Sequence, residues 1–130
     1  MKAAKKLTLV LATTALLGIS DGITAAHSHG NRFGSIAYSQ ASGRFGSSWS
    51  FGDQFDAVEH ALASCNRGDC RTLLWFRNSC GALARARNGA VVWASSSSLV
   101  DAKRRASNQC TREWGSCKLI CSICSGGDEP

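Results

Sequence analysis

Apolar and polar residues follow the same order twice along the chain. The segments GSIAYSQASGRFGSSWS, from Gly34, and GALARARNGAVVWASSS, from Gly81, each have a glycine, a short apolar run, a turn and a second run that carries a tryptophan. Residues 56–65 and 101–110 then run from an aspartate to a cysteine with alanines at helical spacing. A second cysteine and a last apolar run complete each copy. The pattern predicts strand, strand, helix and strand in both copies.

Local signals support these elements. We expect Asp53 and Ser98 to be helix N-caps, since their side-chain oxygens can accept from the first free amides of a helix. Asn88-Gly89 predicts a two-residue turn in which both residues have positive φ, and Gly43 supplies the permissive backbone in the first copy. The apolar stripe of each helix is narrow and rich in alanine: Ala57, Val58, Ala61, Leu62 and Cys65 in the first, and Leu99, Ala102, Ala106 and Cys110 in the second. Both helices should therefore pack closely on a sheet.

One domain built of two repeats is the expected organisation. Neither repeat can bury its apolar face alone, so we expect an α+β fold in which two pseudo-symmetric strand-strand-helix-strand units surround one shared core. The domain should cover residues 33–124, with copy one at residues 34–80 and copy two at residues 81–124. Residues 27–32 and 125–130 are polar and contain glycine, and we expect them to be flexible tails.

The two copies carry a family resemblance. Gly-x-[Ile/Leu]-Ala, a tryptophan-bearing strand, Asp-Ala-x-x-x-Ala-x-x-x-Cys, and GDC leading into LLWFRNSCGALA resemble the small exported bacterial proteins catalogued as domain of unknown function 4189. Copy two departs from the pattern in its TREWGS loop, its Lys-Arg-Arg helix face and the extra cysteine of CSIC. The resemblance implies a secreted, cysteine-stapled α+β domain, and it implies no catalytic residue.

The first 26 residues have the layout of a secretory signal. Lys2, Lys5 and Lys6 precede an apolar run at residues 7–19, which is shorter than the roughly 20 residues that a membrane-spanning helix needs. Small residues follow, and we expect cleavage after Ala26 or Ala25. Removal of residues 1–26 lowers the net charge from +6 to +4. The protein is therefore expected to be secreted or periplasmic.

All seven cysteines lie between Cys65 and Cys124, and an exported chain favours disulfides over free thiols. The simplest pairing repeats the same short-range bridge, Cys65 with Cys70 and Cys110 with Cys117. Cys80 then pairs with Cys121 or Cys124, and we favour Cys124 because that bridge joins the first and last strands of copy two. Cys121 would be left unpaired or would form an intermolecular disulfide.

Other roles for the cysteines have weaker support. A zinc site usually has two Cys-x-x-Cys pairs, and this chain has one, CSIC. A redox pair needs a helix after the motif to lower a thiol pKa, whereas Ser-Gly-Gly-Asp-Glu-Pro follows here. We therefore expect neither a metal nor another cofactor in the folded domain.

Histidines occur at two places where a functional role is an alternative interpretation. His60 is the only histidine inside the predicted domain; we interpret it as an exposed helix residue, with a catalytic base as the alternative. If cleavage follows Ala26, the chain begins His27-Ser28-His29, and a free amine with histidine third can bind Cu(II) or Ni(II) through nitrogen ligands. A flexible polar tail is the alternative for that segment.

The tripeptide Arg67-Gly68-Asp69 lies between Cys65 and Cys70. A disulfide-closed loop of this kind is how integrin ligands present the motif, but the counterpart loop of copy two has no such tripeptide. We therefore interpret the segment as a plain turn.

Basic and aromatic residues define the expected binding surface. We interpret Trp49 and Trp93 as equivalent residues of the two copies, and we expect Trp49, Trp75 and Trp93 to be core residues. The candidate contacts lie in copy two: Arg85, Arg87, Lys103, Arg104, Arg105, Arg112, Lys118 and Trp114. An exposed, hydrated helix face is the alternative.

The sequence thus favours an exported, non-enzymatic binding protein whose basic face in copy two contacts a protein or an anionic cell-envelope partner. Export argues against nucleic acid as the partner. A small cell-wall-directed enzyme and an envelope metal-binding protein are the alternatives.

Overall fold

The computed structural model describes residues 30–127, and within this range the chain forms two helices and six strands. The predicted signal at residues 1–26 and the residues His27 and His29 lie outside the described residues, as do residues 128–130. In chain order the elements are β1 (Phe33–Tyr38), β2 (Phe45–Phe51), α1 (Gln54–Cys65), β3 (Arg71–Arg77), β4 (Cys80–Ala86), β5 (Val91–Ser96), α2 (Leu99–Trp114) and β6 (Cys117–Cys124). The predicted α+β fold with two strand-strand-helix-strand units is confirmed.

The two copies have the same topology. The first antiparallel sheet, sheet A, has the order β2-β1-β3, and the second, sheet B, has the order β5-β4-β6. In both sheets the first strand of the copy lies in the centre, and the second and third strands form the edges. β2, β3, β5 and β6 are therefore all edge strands.

The sheets pack face to face, with one helix on the outer face of each. Five buried side chains fill the space between the sheets: Ile36, Tyr38, Phe76, Leu83 and Ile123. Small residues lie under the helices: Ala37, Ala61 and Cys65 beneath α1, and Ala82, Ala84, Ala102, Ala106 and Cys110 beneath α2. The layer order is thus α1, sheet A, sheet B and α2.

Both helices begin where their caps predict. Asp53 Oδ1 accepts from the Asp56 amide at 2.9 Å, and Ser98 Oγ accepts from the Asp101 amide at 3.0 Å. α1 lies so close to β2 that a Cβ atom on Gly46 would overlap the Ala61 carbonyl oxygen. The alanine-rich stripes are what allow this approach.

Three disulfides are present, between Cys65 and Cys70, Cys110 and Cys117, and Cys80 and Cys124. The first two occupy the same place in the two copies, where a helix returns to the third strand. The third joins cross-strand partners of β4 and β6 and closes a loop of 44 residues, a constraint of about 4 kcal/mol in the chain-entropy account. Cys121 is the free cysteine of the described residues.

The turn between β4 and β5 differs from the prediction. Gly89 has φ of +94°, but Asn88 does not have positive φ. The Gly89 amide donates to the Ala86 carbonyl, and the Ala86 amide donates to the Ala90 carbonyl. This is a three-residue loop in which only the glycine is left-handed, instead of a two-residue type I′ turn. In copy one, Gly43 has φ of +80°, as expected.

The predicted burial of the tryptophans is wrong. Trp49, Trp75 and Trp93 are 47%, 45% and 41% exposed. Each lies on an edge strand, where the sheet ends and leaves part of a large ring uncovered. Trp49 and Trp93 are also not counterparts, because Trp93 pairs with Leu83 whereas the copy-one equivalent of Leu83, Ile36, pairs with Ser47.

The described parts of the expected tails are held in place. The Arg32 amide donates to Asn78 Oδ1 and the Asn31 side chain accepts from Asn78 Nδ2. Ser125 is buried, its amide donates to the Ser79 carbonyl, and its carbonyl accepts from the Ser50 amide. These hydrogen bonds attach the described tail residues to the sheets, and the flexibility of the two tails stays a prediction.

No helix within residues 30–127 is long and apolar enough to cross a membrane.

Candidate functional site

A groove runs along the free edge of β5, beside α2. Its wider part has a volume of about 490 Å³, and a second part of about 310 Å³ continues it. Trp93 and Gln109 line both parts. We call this the β5–α2 groove; its lining residues are 91–95 of β5, and Arg104, Arg105, Asn108, Gln109, Arg112 and Glu113 of α2. Because five consecutive strand residues line it, the groove follows the strand edge instead of one face of the sheet.

The edge of β5 carries unused backbone groups. Within residues 30–127, β5 pairs only with β4, so about half of its amides and carbonyls are unpaired and point away from the sheet. An edge strand of this kind can pair with an added strand. In the β5–α2 groove, the unpaired edge and the polar side chains of α2 face the same space.

In the wider part of the groove, one acid, Asp101, partly balances the basic side chains. Asp101 accepts from Arg104 at 2.6 Å and from Arg105 at 2.8 Å. The Ser96 hydroxyl, which donates to Asp101 at 2.7 Å, holds the pKa of that carboxyl below its ordinary value, and the two guanidinium groups act in the same direction. Arg112 has no carboxylate within ion-pair distance among residues 30–127. The groove therefore keeps a positive balance at its wider end.

Copy one lacks this chemistry at the equivalent helix positions. Aligned on Asp56 and Asp101, the helix residues of copy one are Glu59, His60, Ala63 and Ser64 where α2 has Arg104, Arg105, Asn108 and Gln109. Only Arg67, the counterpart of Arg112, is basic, and it lies beyond the end of α1. The groove's charge is thus a feature of copy two alone.

The predicted contact residues do not all line one groove. Arg104, Arg105 and Arg112 line the β5–α2 groove. Arg85, Arg87 and Lys118 line a different concavity, at the end of sheet B that carries the β4–β5 turn. Lys103 and Trp114 line neither. Since consecutive helix residues are about 100° apart, Lys103 lies on the flank of α2 opposite Arg105, and it is half-buried.

The alternative sites have simple geometries. His60 is exposed on α1, with its ring 5.1 Å from the ring of Phe51. Within residues 30–127, no three His, Cys, Asp or Glu side chains lie close enough together to hold a metal ion.

Asp69 of the Arg-Gly-Asp tripeptide has a structural role. Its Oδ1 accepts from the Ser39 hydroxyl at 2.6 Å, and its Oδ2 accepts from the Ala41 amide at 3.0 Å. Both carboxylate oxygens are therefore used to hold the β1–β2 loop. This is consistent with a plain turn.

The ion pairs of α2 could be predicted from the sequence, but the role of its amide side chains could not. Asp101 with Arg104 and Arg105 has the i, i+3 and i, i+4 spacing of helix ion pairs. The polar residues Asn108 and Gln109 had no such signal, because their role depends on which strand edge lies beside α2.

Residues 33–124 match the family model of the domain of unknown function DUF4189. The chain belongs to this family. A solved structure with the same fold is the "NMR structure of Rv1813c from Mycobacterium tuberculosis", with a TM-score of 0.57 and 18% sequence identity over 94% of this chain and 99% of that chain. This likeness concerns the fold alone. No curated protein matches the chain. The family description assigns DUF4189 proteins no activity.

Proposed function

We propose that this DUF4189 protein is an exported, non-enzymatic binding protein that holds an extended acidic segment of a partner protein in the β5–α2 groove. The observation that carries the proposal is the position of the arginines of α2 beside the unpaired edge of β5. Three disulfides in a chain of this size are typical of oxidising compartments, which supports export.

The groove suits such a segment in shape and in charge. Added strands bind through main-chain hydrogen bonds, and side chains beside the groove select among sequences. β5 has six residues, so its edge is about 20 Å long. Arg105 and Arg112 lie where acidic side chains of the segment would reach, and guanidinium groups bind carboxylates through two parallel hydrogen bonds.

The side-chain amides add a second kind of contact. Asn108 and Gln109 line the wider part of the groove, and each amide can donate and accept at once. Gln109 also donates to Glu113 at 3.2 Å, so the acid at the narrow end is partly engaged. The acidic part of the bound segment should therefore lie at the Arg104 end.

Poly-L-glutamate is a suitable probe, because it is acidic and extended at neutral pH. We expect Arg105→Glu/Arg112→Glu to weaken its binding at least tenfold at low salt, since two attractive contacts become repulsive. The matched control is Arg71→Glu/Arg77→Glu, which makes the same change of net charge on exposed residues of β3. Equal losses in the two double variants would show non-specific attraction to the net charge and would contradict the proposal.

A further inference from the structure

A second basic concavity lies at the end of sheet B that carries the β4–β5 turn. It has a volume of about 490 Å³ and is lined by Arg85, Ala86, Arg87, Ser116, Cys117 and Lys118. We call it the hairpin groove. Three of its six lining residues are cationic and none is acidic, and it shares no lining residue with the β5–α2 groove.

Two of the cations face each other across neighbouring strands. Arg85 of β4 and Lys118 of β6 are direct cross-strand partners. Like charges at such positions destabilise a sheet. The equivalent pair in copy one is Tyr38 and Arg71, which has a single charge. The fold therefore does not require two cations at this place.

Arg85 is also half-buried without a counter-charge. Its Nη1 atom donates to the Tyr38 hydroxyl and to the Gly43 carbonyl, both at the long distance of 3.4 Å. Among residues 30–127, no carboxylate lies within ion-pair distance of Arg85, Arg87 or Lys118. Partial burial of an unpaired guanidinium costs stability. An anion in the hairpin groove would remove both this cost and the repulsion between Arg85 and Lys118.

We propose that the hairpin groove is a binding site for a phosphate group. The planar guanidinium groups of Arg85 and Arg87 match the geometry of phosphate oxygens, and Lys118 adds a point charge on the other side. Ser116 supplies a hydroxyl donor, and the bridge from Cys110 to Cys117 fixes the chain beside it. The site is independent of the acidic-segment proposal, because the two grooves have different residues.

Inorganic phosphate is the first probe. Phosphate is titrated into the protein in a phosphate-free buffer while backbone amide NMR signals are followed. A parallel titration with chloride, at the same ionic strength, is the comparison. We expect saturable shifts at Arg87, Ser116 and Lys118. Lys118→Gln should weaken phosphate binding about tenfold, as expected for loss of one charged hydrogen bond. Arg71→Gln, at the equivalent position of β3, should leave it unchanged.

Thermal stability gives a second measurement. In phosphate-free buffer, Lys118→Gln should raise the unfolding temperature, because it removes the repulsion with Arg85, and added phosphate should stabilise the wild type more than this variant. Arg87→Gln, at an exposed turn residue, provides a second test that leaves the strands unaltered. Shifts produced equally by chloride, or equal weakening by Lys118→Gln and Arg71→Gln, would overturn the proposal.

Vesicles separate two sources of the phosphate group. Binding to phosphatidylglycerol vesicles that is lost in Lys118→Gln and retained in Arg71→Gln supports a lipid headgroup. Saturable binding of inorganic phosphate without binding to these vesicles supports a free phosphate or a small phosphate ester. Binding to neither probe refutes the site.

Discussion

The Ser39 hydroxyl donates to Asp69 Oδ1 at 2.6 Å, which joins the β1–β2 loop to the loop closed by the bridge between Cys65 and Cys70. The Ala41 amide donates to the other carboxylate oxygen at 3.0 Å. Asp69 therefore connects two loops that are 28 to 30 residues apart in the sequence. The Asp69 carboxylate therefore helps to stabilise the fold of copy one.

Asp69→Asn should lower the unfolding temperature at pH 7, because the amide nitrogen of asparagine would face one of the two donors. The Ser39 hydroxyl, followed by the Ala41 amide, holds the pKa of Asp69 below its ordinary value. The contribution of the carboxylate is therefore complete above the unfolded pKa of about 3.9, and it is lost as the pH falls through the lower folded pKa. Thermal melts of both proteins from pH 7 to pH 2 test this. The difference between them should vanish at the acid end; a difference that grows in acid would contradict the role given to Asp69.

Gly46→Ala should destabilise the protein by about 1 to 3 kcal/mol, the usual cost of overpacking. A Cβ atom at this position overlaps the Ala61 carbonyl and the Cys65 amide of α1, so the helix has to move away from β2. Urea denaturation measures the loss. Gly52→Ala is the matched control, because a Cβ there meets nothing within 4 Å. Comparable destabilisation in both variants would show that close approach of α1 is not the cause.

Cys121 should be an unreactive thiol in the native protein. It packs against the cluster between the sheets, and burial raises its pKa from 9.0 to about 11, against the opposing effect of a hydrogen bond with Ser47. At pH 8 this leaves about a hundredfold less thiolate, the reactive form. We therefore expect slow labelling by a thiol reagent in native buffer and one thiol per chain in denaturant.

The burial of Cys121 should also prevent an intermolecular disulfide between two chains. We expect a monomer on a non-reducing gel. A dimer that disappears in Cys121→Ser would show that this cysteine becomes exposed and would contradict the prediction.

The repeated pattern was sufficient to predict the elements of the fold. Local signals are strong here: the caps Asp53 and Ser98 and the alanine stripes all depend on neighbours within one or two helical turns. The strand register was harder to predict from the sequence. Between the strand ends, six residues (39–44) connect β1 to β2 but only four (87–90) connect β4 to β5. Aligning the two copies by their tryptophans therefore places Trp93 opposite the wrong residue.

The burial of large residues could not be read from the strand pattern alone. Trp49, Trp75 and Trp93 have the neighbours of core residues, but the order of strands places all three on sheet edges. The grouping of the basic residues into two grooves could not be predicted from the strand pattern either. Arg85 and Arg112 lie in one copy and look alike in sequence, yet strand order assigns them to different grooves. Tertiary placement of the edges decides both outcomes.

The most direct test of the proposed function is the protection of β5 amides from hydrogen exchange when poly-L-glutamate binds. Our account predicts that the amides of β5 that point away from β4 become slower to exchange, and that the side-chain amides of Asn108 and Gln109 shift in NMR spectra. Protection should disappear in Arg105→Glu/Arg112→Glu and persist in Arg71→Glu/Arg77→Glu. Binding that leaves β5 exchange unchanged, or that protects β2 or β3 instead, would contradict the placement of the partner in the β5–α2 groove.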